Sequence, residues 1–394
     1  MKKYYLLILA IIFNITSASA DQELRAKVSK ASSEYLESRF MNGSYMFCDD
    51  EGIIEQGSKG IHSLTKKTKL NPNQQMPIAS ATKTMTAAAI MKLRESGKLD
   101  VQDSVAKHLD AKSGIWKDGK VPEWANKVKV HNLLTHRSGI PEYFMATELD
   151  ITKPNDQLAK DVANFAGGNE LTFTPGDKHH YCNTNFVLLG LIIETVSGKK
   201  LDDFYRTELF EPLVMKDTRM ITQDEAITHQ TAPESMKFPV RYFVTPTGAK
   251  PHFNEAKSRF LMVPFADGGM LSTTSDLIKW HKGLHSGKVV SDESYKLMTS
   301  KHYDIGIKSG MKTFTGYGLY VAEMANGEVI YHHAGKAVAI RSESGYIPSK
   351  KLYFAVLSNV MNYIPKKMKD KIDMKKVENQ LDIRHFTHHV FNSI

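Results

Sequence analysis

A serine and a lysine, Ser80 and Lys83, lie three residues apart at the start of an otherwise apolar stretch, MPIASATKTMTAAAIMKLRESGKLD, at 76–100. Residues i and i+3 of a helix share one face, with Cβ atoms about 5–6 Å apart. A serine hydroxyl needs a base to take its proton, and a lysine partly removed from water has a lowered pKa and can be that base. The pair is therefore compatible with an activated nucleophile, and equally with a serine that only caps a helix.

The Ser-x-x-Lys spacing alone is a weak signal, because it occurs four more times in this chain. The other pairs are Ser63–Lys66, Ser104–Lys107, Ser197–Lys200 and Ser309–Lys312. Only Ser80 opens a long, almost uncharged segment, which has no Gly or Pro until Gly97 and predicts a buried helix of about sixteen residues. A lysine in that helix is desolvated, so the context favours Ser80 without establishing catalysis.

A second candidate motif is Tyr181-Cys182-Asn183, and of the sixteen tyrosines only Tyr181 has an asparagine two residues later. Residues two apart in an extended stretch point the same way, so Tyr181 and Asn183 would face one cleft and Cys182 would point away. A phenol can shuttle a proton, and a side-chain amide can hold the amide of a substrate. The alternative is a packed loop before a helix, with Asn183 or Thr184 as its cap.

A third candidate motif is His333-Ala334-Gly335, late in a predicted strand. Glycine in a strand lets another backbone, here that of a substrate, approach closely. The backbone N–H of Lys336, just after it, could donate into an oxyanion hole. The segment KSG at 308–310 is a competing site of similar form, but it lies in a polar, glycine-rich loop.

Taken together, SATK, YCN and HAG, in that order, resemble the serine β-lactamase and penicillin-binding protein superfamily. Within it, they resemble the branch of class C β-lactamases, DD-carboxypeptidases and related esterases and D-aminopeptidases. The phrases HNLLTHRSG, TPGDKHHYCNTNFVLLGLIIETVSGK, LFEPLVMKDT and FADGGMLSTTSDLIKW also resemble that branch. The resemblance covers most of residues 40–360.

The resemblance implies a role for each matching residue of the first two motifs. Ser80 is the nucleophile and forms an acyl-enzyme. Lys83 and Tyr181 share the general-base and general-acid work. Asn183 orients the substrate amide.

In the third motif, the resemblance implies that His333 takes the place of the family's Lys or His and that the Gly335 strand lines the cleft. The oxyanion hole is then formed by the backbone N–H groups of Ser80 and Lys336. Many relatives carry a hydroxyl where this chain has Ala334. That hydroxyl commonly helps to bind a substrate carboxylate, and Lys336 is a candidate to supply positive charge in its place.

Strand patterns occur at both ends of the chain and helical patterns between them, which predicts an α/β (α+β) fold of the β-lactamase/transpeptidase-like type. An antiparallel sheet is built from both chain ends and flanked by helices, with an inserted, mainly helical subdomain. The predicted hydrolase domain is 21–394. Its α/β part is about 21–105 and 260–394, and its helical part is about 106–259.

The first twenty residues, MKKYYLLILAIIFNITSASA, have the pattern of a secretory signal peptide, so we expect an exported protein, periplasmic or secreted. No later stretch is long and apolar enough to span a membrane. The net charge is +9, and much of the excess lies in PKKMKDKIDMKK at 365–376. Interrupting aspartates favour a solvated helix face there over a nucleic-acid or membrane patch.

Neither metal nor cofactor is expected. Cys48 and Cys182 have no metal-ligand spacing, and we expect two free, buried thiols. The histidines of HFTHHVF at 385–391 lack carboxylate or cysteine companions at site spacing and are interpreted as tail or packing residues. No glycine-rich phosphate loop is present.

The sequence thus predicts an exported serine hydrolase that acts on a small peptide, amide or ester through an acyl-enzyme. The favoured substrate is a peptide or amide ending in a D-amino acid, as in the trimming of cell-wall peptides. An esterase follows closely, because Ala334 weakens carboxylate recognition. A β-lactamase comes third, and a catalytically silent binding protein on the same fold is the alternative of a different class.

Overall fold

The computed structural model of this protein describes residues 21–38, 41–144, 146, 149–150, 152–231, 239–240, 242–245, 252–255, 265–362 and 383–394. The expected signal peptide, 1–20, and the basic segment at 365–376 lie outside these residues.

An eight-stranded antiparallel sheet built from both ends of the chain is the centre of the fold, as predicted. Its strands are β1 (Gly43–Cys48), β2 (Ile53–Lys59), β10 (Tyr303–Lys308), β11 (Met311–Thr315), β12 (Tyr320–Glu323), β13 (Val329–Ala337), β14 (Ile340–Ile347) and β15 (Leu352–Ser358). Their order in the sheet is β10-β11-β12-β13-β14-β15-β1-β2. The first hairpin joins the last long strand through β1 and β15, where Tyr45 lies opposite Val356.

Helices cover both faces of the sheet and fill the middle of the chain. They are α1 (21–38), α2 (Thr82–Glu95), α3 (Val105–His108), α4 (Val130–Leu134), α5 (Asn155–Gly167), α6 (Asn183–Ser197), α7 (Leu201–Tyr205), α8 (Gln223–Thr231), α9 (Thr274–His285), α10 (Asp292–Thr299) and α11 (Arg384–Phe391). The middle of the chain is richer in strand than predicted.

Three smaller sheets use eight short strands that the sequence patterns did not reveal. They are β3 (Ile61–Ser63), β4 (Thr68–Lys69), β5 (Met76–Pro77), β6 (Arg219–Met220), β7 (Tyr242–Thr245), β8 (His252–Glu255), β9 (Met270–Ser272) and β16 (Val360–Asn362). One of these sheets has the order β5-β9-β6 and holds the chain just before Ser80. Another pairs β16 with β7 in parallel, so the described strands are not all antiparallel.

The predicted helix after Ser80 is present, preceded by a single 3-10 turn at Ala79–Ala81. Eleven of the fourteen residues of α2 are buried, because α6 packs against it and the sheet lies beside it. Alanine, methionine and leucine favour this helix, and Gly97, at φ +69°, follows its end. The helix therefore carries Lys83, the last residue of the first motif, into the main core.

The terminal helices α1 and α11 cover the other face of the sheet and form a second core. Phe386 of α11 is fully buried and packs edge-on against Tyr45 and Phe47 of β1, at ring-centroid distances of 5.1 and 5.6 Å. His389 lies 5.7 Å from the ring of Tyr35. The HFTHHVF segment is thus a packing element, in agreement with its interpretation from the sequence.

Cys48 on β1 and Cys182 before α6 are both free and buried. Among the helices that the structure describes, none has the length and apolarity required to cross a membrane.

Candidate active site

Ser80 lies on the 3-10 turn, and the backbone around it is held from two sides. Ile78 donates its N–H to the Met270 carbonyl at 2.9 Å, and its own carbonyl accepts from Ser342 Oγ at 2.6 Å. Ala79 has φ +47°, a left-handed conformation that costs a non-glycine residue free energy. The small sheet and β14 thus hold the chain in a conformation that places Ser80 at the entrance of α2.

Lys83 is fully buried, and its ammonium group has three acceptors. Nζ donates to Ser80 Oγ at 3.1 Å, to Asn183 Oδ1 at 2.8 Å and to the backbone carbonyl of Asp267. These three bonds match the three donors of a lysine ammonium. The structure therefore brings Ser80, Lys83 and Asn183 together, as the first two motifs predict.

Burial lowers the pKa of Lys83 to about 8, because the desolvated ammonium loses its hydration. The carboxylates of Asp267 and Glu142 act in the opposite direction and favour the charged form. A pKa near 8 leaves about one tenth of the amine neutral at pH 7, far more than an exposed lysine has, and the neutral amine is the form that a general base requires.

Tyr181 lies directly beside the serine and the lysine. Its phenol makes a hydrogen bond with Ser80, and Lys83 Nζ lies 5.1 Å from the centre of its ring. His136 also packs against this ring, with the centroids 4.3 Å apart. Burial raises the pKa of Tyr181 well above its usual value, against the influence of the bond with Ser80. The phenol is therefore neutral in the resting site.

Asn183 begins α6, and both ends of its side-chain amide are occupied within the protein. Oδ1 accepts from Lys83, while Nδ2 donates to Glu142 Oε2 at 3.2 Å. Glu142 also accepts from the backbone N–H of Asn183. Cys182 points away, since its Sγ donates to the Ile140 carbonyl at 3.4 Å. The predicted division of this motif into a cleft side and a buried side matches these contacts.

His333 is 2% exposed and lies on β13, next to the cavity. Its ring stacks on Tyr320, with a centroid distance of 5.1 Å, and its Nδ1 lies 2.8 Å from the Ala334 carbonyl. Because a carbonyl only accepts, Nδ1 carries the proton and Nε2 is left as an acceptor. Burial, assisted by Lys83, lowers the pKa of His333 to about 3, so the ring is neutral.

Gly335 serves a different close approach from the one that was expected. A Cβ at this position would lie 2.0 Å from the Ile78 carbonyl oxygen and 2.2 Å from Ser342 Oγ. The space that glycine leaves is thus occupied by the chain's own backbone before Ser80, rather than kept for a substrate backbone. Its neighbours Ala334 and Lys336 line the cavity instead.

A cavity of about 310 Å³ collects these groups. It is lined by Ala79, Ser80, Tyr143, Phe144, Tyr181, Asn183, Asp267, Gly268, Tyr320, His333, Ala334, Lys336 and Ala337. A larger cavity of about 720 Å³ adjoins it and shares Tyr181, Tyr320 and Ala334. Within the described part of the chain, no group of three or more His, Cys, Asp or Glu side chains is arranged to hold a metal ion.

Three residues of the site were missed from the sequence. Tyr143, 2% exposed, donates its hydroxyl to Asp267 Oδ2 at 2.9 Å. Glu142 holds Asn183, and the backbone of Asp267 holds Lys83. The segment FADGGM was recognised as part of the family pattern, yet no spacing within the chain indicates that its acid lies beside Lys83.

The comparison with protein families agrees with this site. The family model described as Beta-lactamase matches residues 28–378. The chain therefore belongs to the Beta-lactamase family, a class of serine hydrolases that includes penicillin-binding relatives. The predicted family and the predicted β-lactamase/transpeptidase-like fold are thus confirmed.

The individual relatives and solved structures share only low sequence identity with this chain. The chain is 28% identical over 313 residues to Protein flp of Staphylococcus aureus (strain MW2), covering 78% of this chain but only 57% of that relative's length. The octameric penicillin-binding protein homologue of Pyrococcus abyssi is 26% identical, with a TM-score of 0.66 and coverage of 86% of this chain and 73% of that one. The D-amino acid amidase of Ochrobactrum anthropi SV3 shares the fold, at 20% identity, a TM-score of 0.71 and coverage of 94% and 99%.

Proposed function

We propose that this protein is an exported serine hydrolase that cleaves a peptide or amide ending in a D-amino acid through an acyl-enzyme on Ser80. The observation that carries the proposal is the contact between the fully buried Lys83 Nζ and Ser80 Oγ, at 3.1 Å. A serine next to a desolvated lysine has a base within reach of its proton.

The contacts of Lys83 support a direct role as that base. A neutral amine has two N–H donors and one lone pair. The oxygen of Asn183 and the backbone carbonyl of Asp267 can only accept, so they take the two donors. The lone pair is then left for the hydroxyl proton of Ser80. Oγ bonds to the substrate carbonyl carbon as its proton passes to Nζ.

Tyr181 is proposed to carry the proton onward to the leaving group. Its raised pKa makes a resting phenolate unfavourable, so Lys83 suits the base role better. The phenol touches Ser80 and lies beside Lys83, and it can donate to the leaving nitrogen or oxygen while it recovers a proton from Lys83. Water then releases the acyl group from Ser80 by the reverse route.

The oxyanion that forms on the substrate is proposed to accept from the backbone N–H groups of Ser80 and Lys336. The start of α2 favours negative charge near Ser80. The absence of a side chain at Gly335 lets β13 approach the turn before Ser80, which supports the pairing of these two N–H groups. Donors fixed in this way need no rearrangement as charge develops.

The cavity supports a substrate with a small group and a terminal carboxylate next to the scissile bond. Its volume of about 310 Å³ suits a single small residue, and exposed Lys336 lies on its wall. His333, as a neutral ring, and the second N–H of the Asn183 side-chain amide are the hydrogen-bonding groups left for the substrate. The names of the similar structures, a penicillin-binding homologue and a D-amino acid amidase, point to the same class of substrate.

An esterase is the second candidate, and Ala334 is the observation that favours it. Ala334 lines the cavity without a hydroxyl, so carboxylate recognition depends on Lys336. A neutral ester needs no such recognition. Fast hydrolysis of β-lactams ranks third, because it additionally requires a water placed for rapid attack on the acyl-enzyme.

The proposal can be tested by intact-protein mass spectrometry after incubation with a labelled penicillin, a fluorophosphonate and a simple ester. A peptidase gives a long-lived penicillin adduct, and an esterase gives ester turnover with a weak penicillin adduct. A β-lactamase turns penicillin over without accumulating an adduct. If none of the three reagents is consumed or attached, the protein is a silent binding protein and the proposal is wrong.

A further inference from the structure

Asp267 is the carboxylate of this site with the least hydrogen bonding. The residue is 6% exposed and lines the Ser80 cavity. Tyr143 donates to Oδ2 at 2.9 Å, but Oδ1 is buried without a hydrogen-bond partner among the described residues. A buried carboxylate oxygen without a donor is unfavourable, so a nearby positive charge is needed to offset its desolvation.

That positive charge is Lys83. Its Nζ donates to the backbone carbonyl of Asp267, so the ammonium group lies next to the residue that carries the carboxylate. The carboxylate itself acts on Lys83 through space, and it is the charge that most favours the ammonium form. Burial in turn raises the pKa of Asp267 to about 6, with Lys83 and the Tyr143 hydroxyl opposing the change.

Glu142 is less suited to this task because its oxygens are already used. Oε2 accepts from the backbone and the side chain of Asn183, and Oε1 accepts from the backbone N–H of Phe144 at 2.9 Å. The titratable groups that face Lys83 or its two neighbouring acids are Asp267, Glu142, Tyr143, Tyr181, Cys182, His136 and His333. Asp267 and Glu142 are the two carboxylates in this set, and Asp267 is the one that acts more strongly on Lys83.

We propose that Asp267 is a positioning residue that sets the protonation of Lys83: its backbone carbonyl orients Nζ toward Ser80, and its Tyr143-held carboxylate stabilises the ammonium. The role goes beyond that of the predicted motifs, and it rests on the proposed function of Ser80 and Lys83. Without this charge, burial alone would lower the pKa of Lys83 further and leave a weaker base.

The test is the rate at which a fluorophosphonate labels Ser80, measured across the pH range in which Lys83 titrates. Only neutral Lys83 acts as base, so the rate rises with pH along an acid limb. Asp267→Asn keeps the shape and an oxygen for Tyr143 but removes the charge. The acid limb should move to lower pH by about one unit, the order of shift that one close opposite charge produces.

Two further variants separate this role from a structural one. Asp276→Asn also removes a buried carboxylate. Asp276 lies on α9 and accepts from Lys279 of the same helix and from Thr218 outside it. Its acid limb should stay in place whatever happens to its melting temperature. Tyr143→Phe removes the hydrogen bond to Asp267 without removing a charged residue, so it should move the acid limb in the same direction by a smaller amount. This variant provides the test if Asp267→Asn does not fold.

The outcomes are distinct. If the acid limb of Asp267→Asn lies at the same pH as that of the unmodified protein, and labelling is slower at every pH, Asp267 is a structural residue and the inference is overturned. An unmoved limb in Tyr143→Phe would do the same if that variant alone folds. Failure of the fluorophosphonate to label Ser80 in the unmodified protein would instead overturn the proposed function itself.

Discussion

Two serine–lysine pairs with the same spacing lie in opposite environments in this protein, one buried and one exposed. Ser80 and Lys83 lie on the turn and first residues of a buried helix, and Lys83 is 0% exposed. Ser309, at φ +50°, lies in the turn between β10 and β11, and Lys312 follows on β11. The Lys312 side chain is 52% exposed and lies 3.7 Å from Asp304.

The comparison shows that the environment of the lysine, and not the spacing, decides which pair can do chemistry. Removal from water lowers the pKa of Lys83 to about 8. Lys312 keeps its hydration, and an exposed ion pair such as Lys312–Asp304 contributes only about 0.2–1 kcal/mol. Ser309 nevertheless lines the larger cavity next to the site, so the comparison can be tested directly.

The largest expected effect is on covalent labelling. Ser80→Ala should abolish the adduct with every acylating reagent, because it removes the proposed nucleophile. Ser309→Ala should leave the adduct intact, which intact-protein mass spectrometry measures. Peptide mapping that places the adduct on Ser309 would reverse the comparison.

Removing each lysine amine should separate the pairs next. Lys83→Met should slow fluorophosphonate labelling by about 10²–10⁴-fold, the usual contribution of a positioned general base. Lys312→Met, the matched control, should label at the rate of the unmodified protein. Similar rates for both variants would show that Lys83 is not the base.

Between the pKa of Asp267, about 6, and that of Lys83, about 8, the pH dependence of labelling should report the titration of Lys83. Since the neutral amine is the active form and its pKa is about 8, labelling should fall about tenfold per unit as pH decreases below that value. Above it the rate should level off, because the pKa of Tyr181 is raised beyond its usual range. Rate profiles of the unmodified protein and of Lys312→Met should coincide; an acid limb that shifts in Lys312→Met would contradict this assignment.

A third lysine, the exposed Lys336, sharpens the comparison by separating charge from base chemistry. Lys336→Ala should raise the KM for carboxylate-ended peptides several-fold, because an exposed pair is worth about 0.2–1 kcal/mol and substrate binding strengthens it. Hydrolysis of a neutral ester should hardly change, since the backbone N–H remains.

Steady-state kinetics on both substrates will distinguish a charge role of the Lys336 side chain from a role in the oxyanion hole. Equal losses would mean that the oxyanion hole was disturbed. No change in either would favour the esterase.

The smallest effect is expected from reducing agents. Cys48 and Cys182 are free, and burial raises the pKa of the Cys182 thiol to about 12, which makes it unreactive. Thiol titration of the denatured, unreduced protein should find two thiols, and dithiothreitol should not shift the melting temperature. Finding no titratable thiol would show a disulfide in the protein.

Local patterns determined a large part of this protein. The run of alanine, methionine and leucine without glycine or proline after Ser80 predicts α2, and the strand patterns at both ends of the chain predict the central antiparallel sheet. The order of the three motifs indicates the family. These features depend on neighbours in the sequence, which is why the sequence alone is enough to predict them.

Only the tertiary structure decided how Lys83 is held and why Gly335 is needed. Two of the three acceptors of Lys83 are distant in the sequence: Asn183 is 100 residues away and Asp267 is 184 residues away. Gly335 makes room for the Ile78 carbonyl, which belongs to a different element of the fold. Burial and Coulomb interactions act through space, so no spacing along the chain encodes them. The pKa that distinguishes Lys83 from the exposed lysines therefore arises only when α2, α6 and the sheet pack together.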